Sequence, residues 1–199
     1  MATSTKRKIE RSSLLTLEAY TRGRKAFREK VMEHKKNRKV HLGDHVTLLF
    51  EDELTIRYQI QEMLRAERIF EEDGIHHELE CYTPLIPDGR NFKATMMIEY
   101  TDADERKRAL ARLKGIEDRV WVQFEDSDRV YAIADEDLER ENEEKTSSVH
   151  FLRFELSEEM TKALKYGVGL AIGVDHPEYR AVLDPVPLNV RSSLVSDLA

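Results

Sequence analysis

The sequence predicts an α+β domain: a mainly antiparallel or mixed sheet of about six strands, helices packed against it, and a long helix at the N-terminus. Three observations carry that expectation. Short β-branched, apolar runs alternate irregularly with stretches of helical period, without any internal repeat. Two of the runs, RVWVQFE (119–125) and RVYAIAD (129–135), are separated only by a tight turn at 126–128, which demands an antiparallel hairpin. A chain of 199 residues with 40% apolar composition, seven Phe, seven Tyr and one Trp can build one core. One domain over 1–199 is therefore expected, with 1–12 as a disordered basic tail.

The elements follow in order. Residues 13–38 read as one helix, opened by Ser12 or Ser13 as N-cap. Leu14, Leu17, Tyr20, Phe27 and Val31 form its apolar stripe, with Arg24 in the middle. Gly43 and Asp44 turn the chain into a strand at 46–51. A second helix starts near Asp52 and closes at Gly74, with Ile56, Ile60, Met63, Leu64 and Phe70 on one face. At 100° per residue, Glu67 falls at the centre of that face. A carboxylate there needs a partner, because an isolated buried charge is too costly. Arg24 interrupts its own stripe in the same way, so the two helices are expected to pack with Arg24 and Glu67 paired and Tyr20 or Tyr58 nearby.

Residues 84–91 (PLIPDGRN) cannot continue a regular element and read as a loop. A strand at 92–100 and a short helix at 102–113 follow, the helix acidic first and basic later in accord with its dipole. After the hairpin, 135–145 reads as an acidic, exposed helix or linker. A strand at 148–156 leads into a short helix with Ser157 as N-cap and Gly167 past its end. A last strand covers 168–174, and 185–198 is a mixed tail with a helical turn or two.

Charge is distributed unevenly. Residues 1–39 carry thirteen Lys or Arg against four acidic residues, whereas the whole chain has a net charge of −7. Such an arm either meets a polyanion or lies against the acidic body or a twin subunit, and opposite fields in one chain attract each other first. Nucleic-acid binding through residues 6–39 is thus the weaker reading, lacking interleaved exposed aromatics. The single cysteine, Cys81, excludes an internal disulfide framework and any multi-thiolate metal site, and fits a cytoplasmic setting. No run approaches the roughly 18 apolar residues of a membrane span, and the basic start lacks the apolar stretch of a secretory signal. The pattern Gly167-x-Gly169-x3-Gly173 has its helix before it and its strand after it, the reverse of a dinucleotide-binding turn. No P-loop, nucleophile elbow or HExxH motif is present.

The histidines offer more. His34 and His41 read as surface residues, and His41-x3-His45 is broken by Gly43. His76, His77, Glu78 and Glu80 beside Cys81 read as a polar loop. His150 shares its strand face with Leu152, Phe154 and Leu156, and His176 continues the face of Val168, Leu170, Ile172 and Val174. Antiparallel neighbours would bring both imidazoles to one sheet end; a parallel crossover would part them. Glu99, alternating with Thr95 and Met97, is a third candidate. Imidazole with carboxylate suits Fe, Mn or Zn. Taken singly, each histidine reads more simply as a hydrogen-bonded structural residue.

At FEDELTIRYQIQEMLRAERIF, LIPDGRNFKATMMIEY, VHFLRFEL and DHPEY the chain resembles an uncharacterised bacterial domain-of-unknown-function family, number 3501, over nearly its whole length. The resemblance implies a cytoplasmic bacterial protein encoded beside rubrerythrin-like and iron–sulfur oxidoreductase-like proteins, which would be its partners. It brings no catalytic residues. The expected function is a binding or accessory role in a redox or peroxide-related pathway, holding a metal or small ligand near His150 and His176. The alternative is an enzyme doing acid–base work with Glu67, Glu99 or a histidine.

Overall fold

The computed structural model describes residues 9–125, 127–137 and 139–199. Six α-helices and nine strands occur among them, and the strands form two antiparallel sheets. The first sheet has the order β1-β2-β3-β7-β6 and the second β5-β4-β8-β9. Its strands are β1 (Lys39–Leu42), β2 (Val46–Phe50), β3 (Asn91–Ile98), β4 (Val120–Phe124), β5 (Val130–Tyr131), β6 (Ile133–Ala134), β7 (Val149–Glu155), β8 (Leu170–His176) and β9 (Tyr179–Leu183). The α+β expectation holds, with nine strands in place of about six. β1 and β9 escaped the sequence reading because each is a short edge strand with exposed residues alternating along it.

The two sheets close on one core. Leu48, Phe50, Phe92, Met96, Leu152 and Phe154 from the first sheet meet Val120, Val122, Phe124, Leu170, Ile172 and Val174 from the second. Along β7 burial alternates residue by residue, the mark of a strand with one face on a core. The Phe50 ring lies 6.0 Å from Phe92 and 6.3 Å from Phe154, within the range of favourable aromatic contact. Leu110, Leu164 and Leu194, from α4 (Ala103–Arg112), α5 (Glu158–Lys165) and α6 (Leu188–Val195), join the same core.

On the other side of the first sheet lie α2 (Glu53–Glu67) and α3 (Glu72–Tyr82), with α1 (Leu17–Lys35) packed on α2. Ile56, Ile60 and Leu64 of α2 pack with Ile75 and Leu79 of α3 in a second apolar cluster. Ile9 and Leu14 belong to it too. The segment just before α1 is therefore packed at Ile9, and Arg11 pairs with Glu72 at 2.8 Å; residues 1–8 of the expected tail lie outside the described residues.

Helix ends show where local chemistry overrules periodicity. Asp52 caps α2 in a reciprocal capping box with Thr55. Arg68, at φ 56°, ends α2 well before Gly74, which lies inside α3. His76, His77, Glu78 and Glu80 are accordingly helical instead of a loop. α1 begins at Leu17 under a Thr16 cap, not at Ser13, because residues 11–13 form a separate 3-10 turn. Ser157 caps α5 as expected, and Gly167 follows its end at φ 102°.

The hairpin expectation is met at Trp121↔Tyr131 and Val122↔Val130; residue 126 of its turn lies outside the described residues. Its second strand splits, however. β5 stays with β4, while β6 crosses to pair with β7 in the first sheet. Between 135 and 145 there is no helix among the described residues. No helix is long and apolar enough to cross a membrane among them either.

Candidate metal centre

Three segments converge beneath β7. His150 points to the core face opposite Met96 of β3 and is fully buried. Asp135 directly follows β6 at φ 48°, a conformation that Asp tolerates better than most residues. Its backbone N–H donates to the Phe151 carbonyl and its Oδ1 accepts from the Phe151 N–H, both at 2.9 Å. Asp135 is thus pinned to β7 at two points. Glu117 opens a 3-10 turn leading into β4, in the second sheet. Ligand atoms of Glu117, Asp135 and His150 all lie within 4.8 Å of one another.

The imidazole is held on both sides. Nδ1 lies 2.5 Å from Asp135 Oδ2, and Nε2 is 3.0 Å from the Ser147 carbonyl, 3.0 Å from Thr146 Oγ1 and 3.8 Å from Glu117 Oε2. A carbonyl only accepts, so Nε2 is a donor. With Nε2 donating, a proton must also lie between Nδ1 and the Asp135 carboxylate, since two lone pairs do not meet at 2.5 Å. A metal ion ligated there would displace that proton.

Glu117 differs from Asp135 in its surroundings. Burial pushes its pKa above the usual carboxylate range, partly opposed by a backbone hydrogen bond and by the nearby imidazole. The Thr146 hydroxyl approaches it at 3.4 Å, and no Lys or Arg pairs with it among the described residues. Asp135 has Arg140 at 3.1 Å. That guanidinium also pairs with Asp137 and lies 4.6 Å from the Phe151 ring centroid. Two carboxylates and one imidazole form a donor set that Fe, Mn and Zn accept.

Of the residues singled out from sequence, only His150 belongs to this group. β7 and β8 lie in different sheets, so they are neither antiparallel neighbours nor a parallel crossover pair. His176 gives Nε2 to the Lys114 carbonyl at 2.9 Å, and its Nδ1 accepts from the Glu178 N–H at 3.2 Å. Both partners are backbone groups, and both ring nitrogens are occupied. Glu99, exposed one residue past the end of β3, accepts from the Thr47 hydroxyl at 2.6 Å.

The Arg24–Glu67 pairing is also corrected. Arg24 forms a two-pronged bond to Glu62, at 2.8 and 2.7 Å, and Glu67 is exposed at the end of α2. The helix end caused the error: Glu67 continues the stripe of Ile56, Ile60 and Leu64 at 100° per residue, but Arg68 terminates α2, so Glu67 stands exposed in the last turn. Glu117 and Asp135 carried little local signal. Asp135 merely ends an apolar strand, and its partners come from remote segments.

Among curated proteins none matches the chain. A crystal structure of a novel protein of unknown function from Burkholderia pseudomallei is similar to it throughout. The two share 56% identity and a TM-score of 0.92, over 96% of this chain and 100% of that one. A family model described as a protein of unknown function, DUF3501, matches residues 8–198. The chain belongs to the DUF3501 family.

Proposed function

We propose that the chain is a binding or accessory protein of a redox or peroxide-related pathway, holding one divalent Fe, Mn or Zn ion between Glu117, Asp135 and His150. One observation carries this reading: a buried carboxylate, Glu117, and a half-buried one, Asp135, flank a single buried imidazole, and among the described residues no Lys or Arg pairs with Glu117 to offset its burial. A dication supplies that charge where the fold does not. Three protein ligands leave a coordination position for a further ligand. The redox setting draws on the gene neighbours that the family resemblance implies, rubrerythrin-like and iron–sulfur oxidoreductase-like proteins, and on the suitability of this donor set for Fe and Mn. The lone thiol of Cys81, exposed on α3, suits a reducing cytoplasm.

Elemental analysis of untagged protein tests the proposal. About one equivalent of Fe, Mn or Zn is expected, reduced sharply in both His150→Ala and Asp135→Asn. Metal-free protein that takes up none of the three and melts identically with and without chelator would falsify it. An acid–base enzyme at the same residues is disfavoured because His150 is wholly enclosed, out of a substrate's reach. Nucleic-acid binding through the N-terminal arm is weakened by local neutralisation: Arg22, Arg24 and Lys36 pair with Glu18, Glu62 and Glu33.

A further inference from the structure

Away from the candidate metal centre, Glu78 of α3 is a buried carboxylate without a countercharge. It is 9% exposed, and among the described residues no side chain or backbone N–H donates to it and no Lys or Arg pairs with it. Burial first, and then the charge of Glu67, push its pKa above the usual carboxylate range, opposed in part by the neighbouring His77. Glu80, two residues on, is exposed and also lacks a Lys or Arg partner among the described residues. A carboxylate withdrawn from water in this way is costly until a donor or a cation reaches it.

Glu78 and Glu80 both line a groove of about 640 Å³ between α3 and β7. That volume lies in the range of small-molecule sites, where apolar walls surround a few fixed polar groups. Met63, Tyr82 and Leu85 supply the apolar wall, each partly exposed. The cations of the groove are Lys93, Arg140 and Arg153, and all three are engaged. Arg153 binds Glu136 and Glu155, and Arg140 pairs with Asp135 and Asp137. Lys93 donates to the Pro84 carbonyl in the field of Asp88, Glu136 and Glu155. The unmatched charge in the groove is therefore negative, at Glu78 and Glu80.

We propose that this groove binds a small organic amine in its ammonium form, the ammonium on Glu78 and the apolar body along Met63, Tyr82 and Leu85. Charge complementarity selects a cation, and hydrogen bonding selects an ammonium. Glu78 accepts no hydrogen bond among the described residues, and an ammonium brings N–H donors together with its charge. Lys93, Arg140 and Arg153 in the same lining disfavour a second positive charge on the ligand. Ile75 and Leu79, on either side of Glu78 in α3, are anchored against α2, so the carboxylate is held on a packed helix before the ligand arrives. The inference is independent of the candidate metal centre, since neither Glu78 nor Glu80 is a proposed ligand of the ion.

Calorimetric titration of the full-length protein with hexylammonium and with hexanol tests it. Hexylammonium is expected to bind with a Kd of about 1 mM or below, and hexanol roughly tenfold more weakly, the difference being one charge pair at a buried carboxylate. Glu78→Gln should remove that difference, leaving both probes equally weak. The variant is expected to melt no lower than the parent, because the amide keeps the shape and removes a buried, repelled charge. Cys81, the protein's single cysteine, lines the same groove. Its alkylation by iodoacetamide should slow in hexylammonium and not in hexanol at equal concentration, which places the ligand without any substitution. Equal binding of amine and alcohol by the parent overturns the proposal. So does amine affinity unchanged in Glu78→Gln, an alkylation rate unchanged while the amine is bound, or no amine binding at about 10 mM.

Discussion

Replacing Glu62 by Gln should destabilise the protein by about 1–2 kcal/mol at neutral pH, whereas Glu67→Gln should change stability by less than about 0.5 kcal/mol. Glu62 accepts both prongs of Arg24 and the Tyr20 hydroxyl at 2.6 Å, with Arg65 at 3.7 Å. The Arg24 guanidinium above all, aided by Tyr20 and opposed by burial, holds the Glu62 carboxyl at about 2, against an ordinary 4.5. Such a displacement corresponds to about 3.4 kcal/mol of native-state preference for the ionised form. The Arg24 side chain remains 34% exposed and that of Glu62 19%, so solvent screening reduces the net contribution to the smaller figure. The sign follows from the lowered native pKa. The contribution is complete above the ordinary carboxylate value and disappears as pH falls from there toward 2. Urea denaturation at pH 7 and pH 3 reads this directly: the gap between parent and Glu62→Gln should shrink at the lower pH. A gap that persists undiminished at pH 3, or a larger loss in Glu67→Gln, would refute the assignment.

Two further substitutions probe how the layers are tied together. Arg38 is 1% exposed and pairs with Asp197 near the C-terminus while donating to the Phe50 and Glu51 carbonyls. Arg38→Met takes the guanidinium away from a buried carboxylate and should cost about 3–5 kcal/mol in urea denaturation; a loss below about 1 kcal/mol would mean the pair acts as a surface ion pair. At Gly173 an added Cβ would sit 2.3 Å from the Trp121 indole, which carries Arg129 at 4.1 Å. Gly173→Ala should therefore cost about 1–3 kcal/mol through overpacking and shift the emission of the protein's single tryptophan. An unchanged melting temperature and spectrum would show that the indole does not rest on that backbone.

What the sequence made legible was local. Ser157 and Gly167 bracket α5 because a hydroxyl can satisfy an early helix N–H and glycine accepts the left-handed exit. His150 was readable as core-facing because strand alternation fixes the face. Alternation does not say which sheet supplies the opposing wall. RVYAIAD looks like one strand, yet Val130 and Tyr131 pair in one sheet and Ile133 and Ala134 in the other. For the same reason the strands of His150 and His176 were weighed only as members of one sheet, antiparallel or joined by a crossover, whereas they lie in different sheets. Glu67 shows the other weakness of periodicity. A residue in the last turn before an unrecognised helix end continues a stripe without joining its packing, so Glu67 was the expected partner of Arg24 where the structure has Glu62.

The candidate metal centre joins these lessons to the proposed function. Asp135 stands where the chain passes from one sheet to the other, and Glu117 where it enters β4, so the carboxylates reach His150 through the same crossing that sequence periodicity missed. A core of this kind gains nothing in stability from such a group. Apolar residues of equal volume would pack there without the cost of withdrawing two carboxylates from water. Arg140 meets Asp135 from the outer side and divides itself between Asp135 and Asp137, leaving the Glu117 side of the imidazole without positive charge. On the proposed reading, a dication held among the three side chains would offset that cost. On that account metal removal should loosen the seam between the two sheets in particular, because Glu117 and His150 come from opposite sides of it.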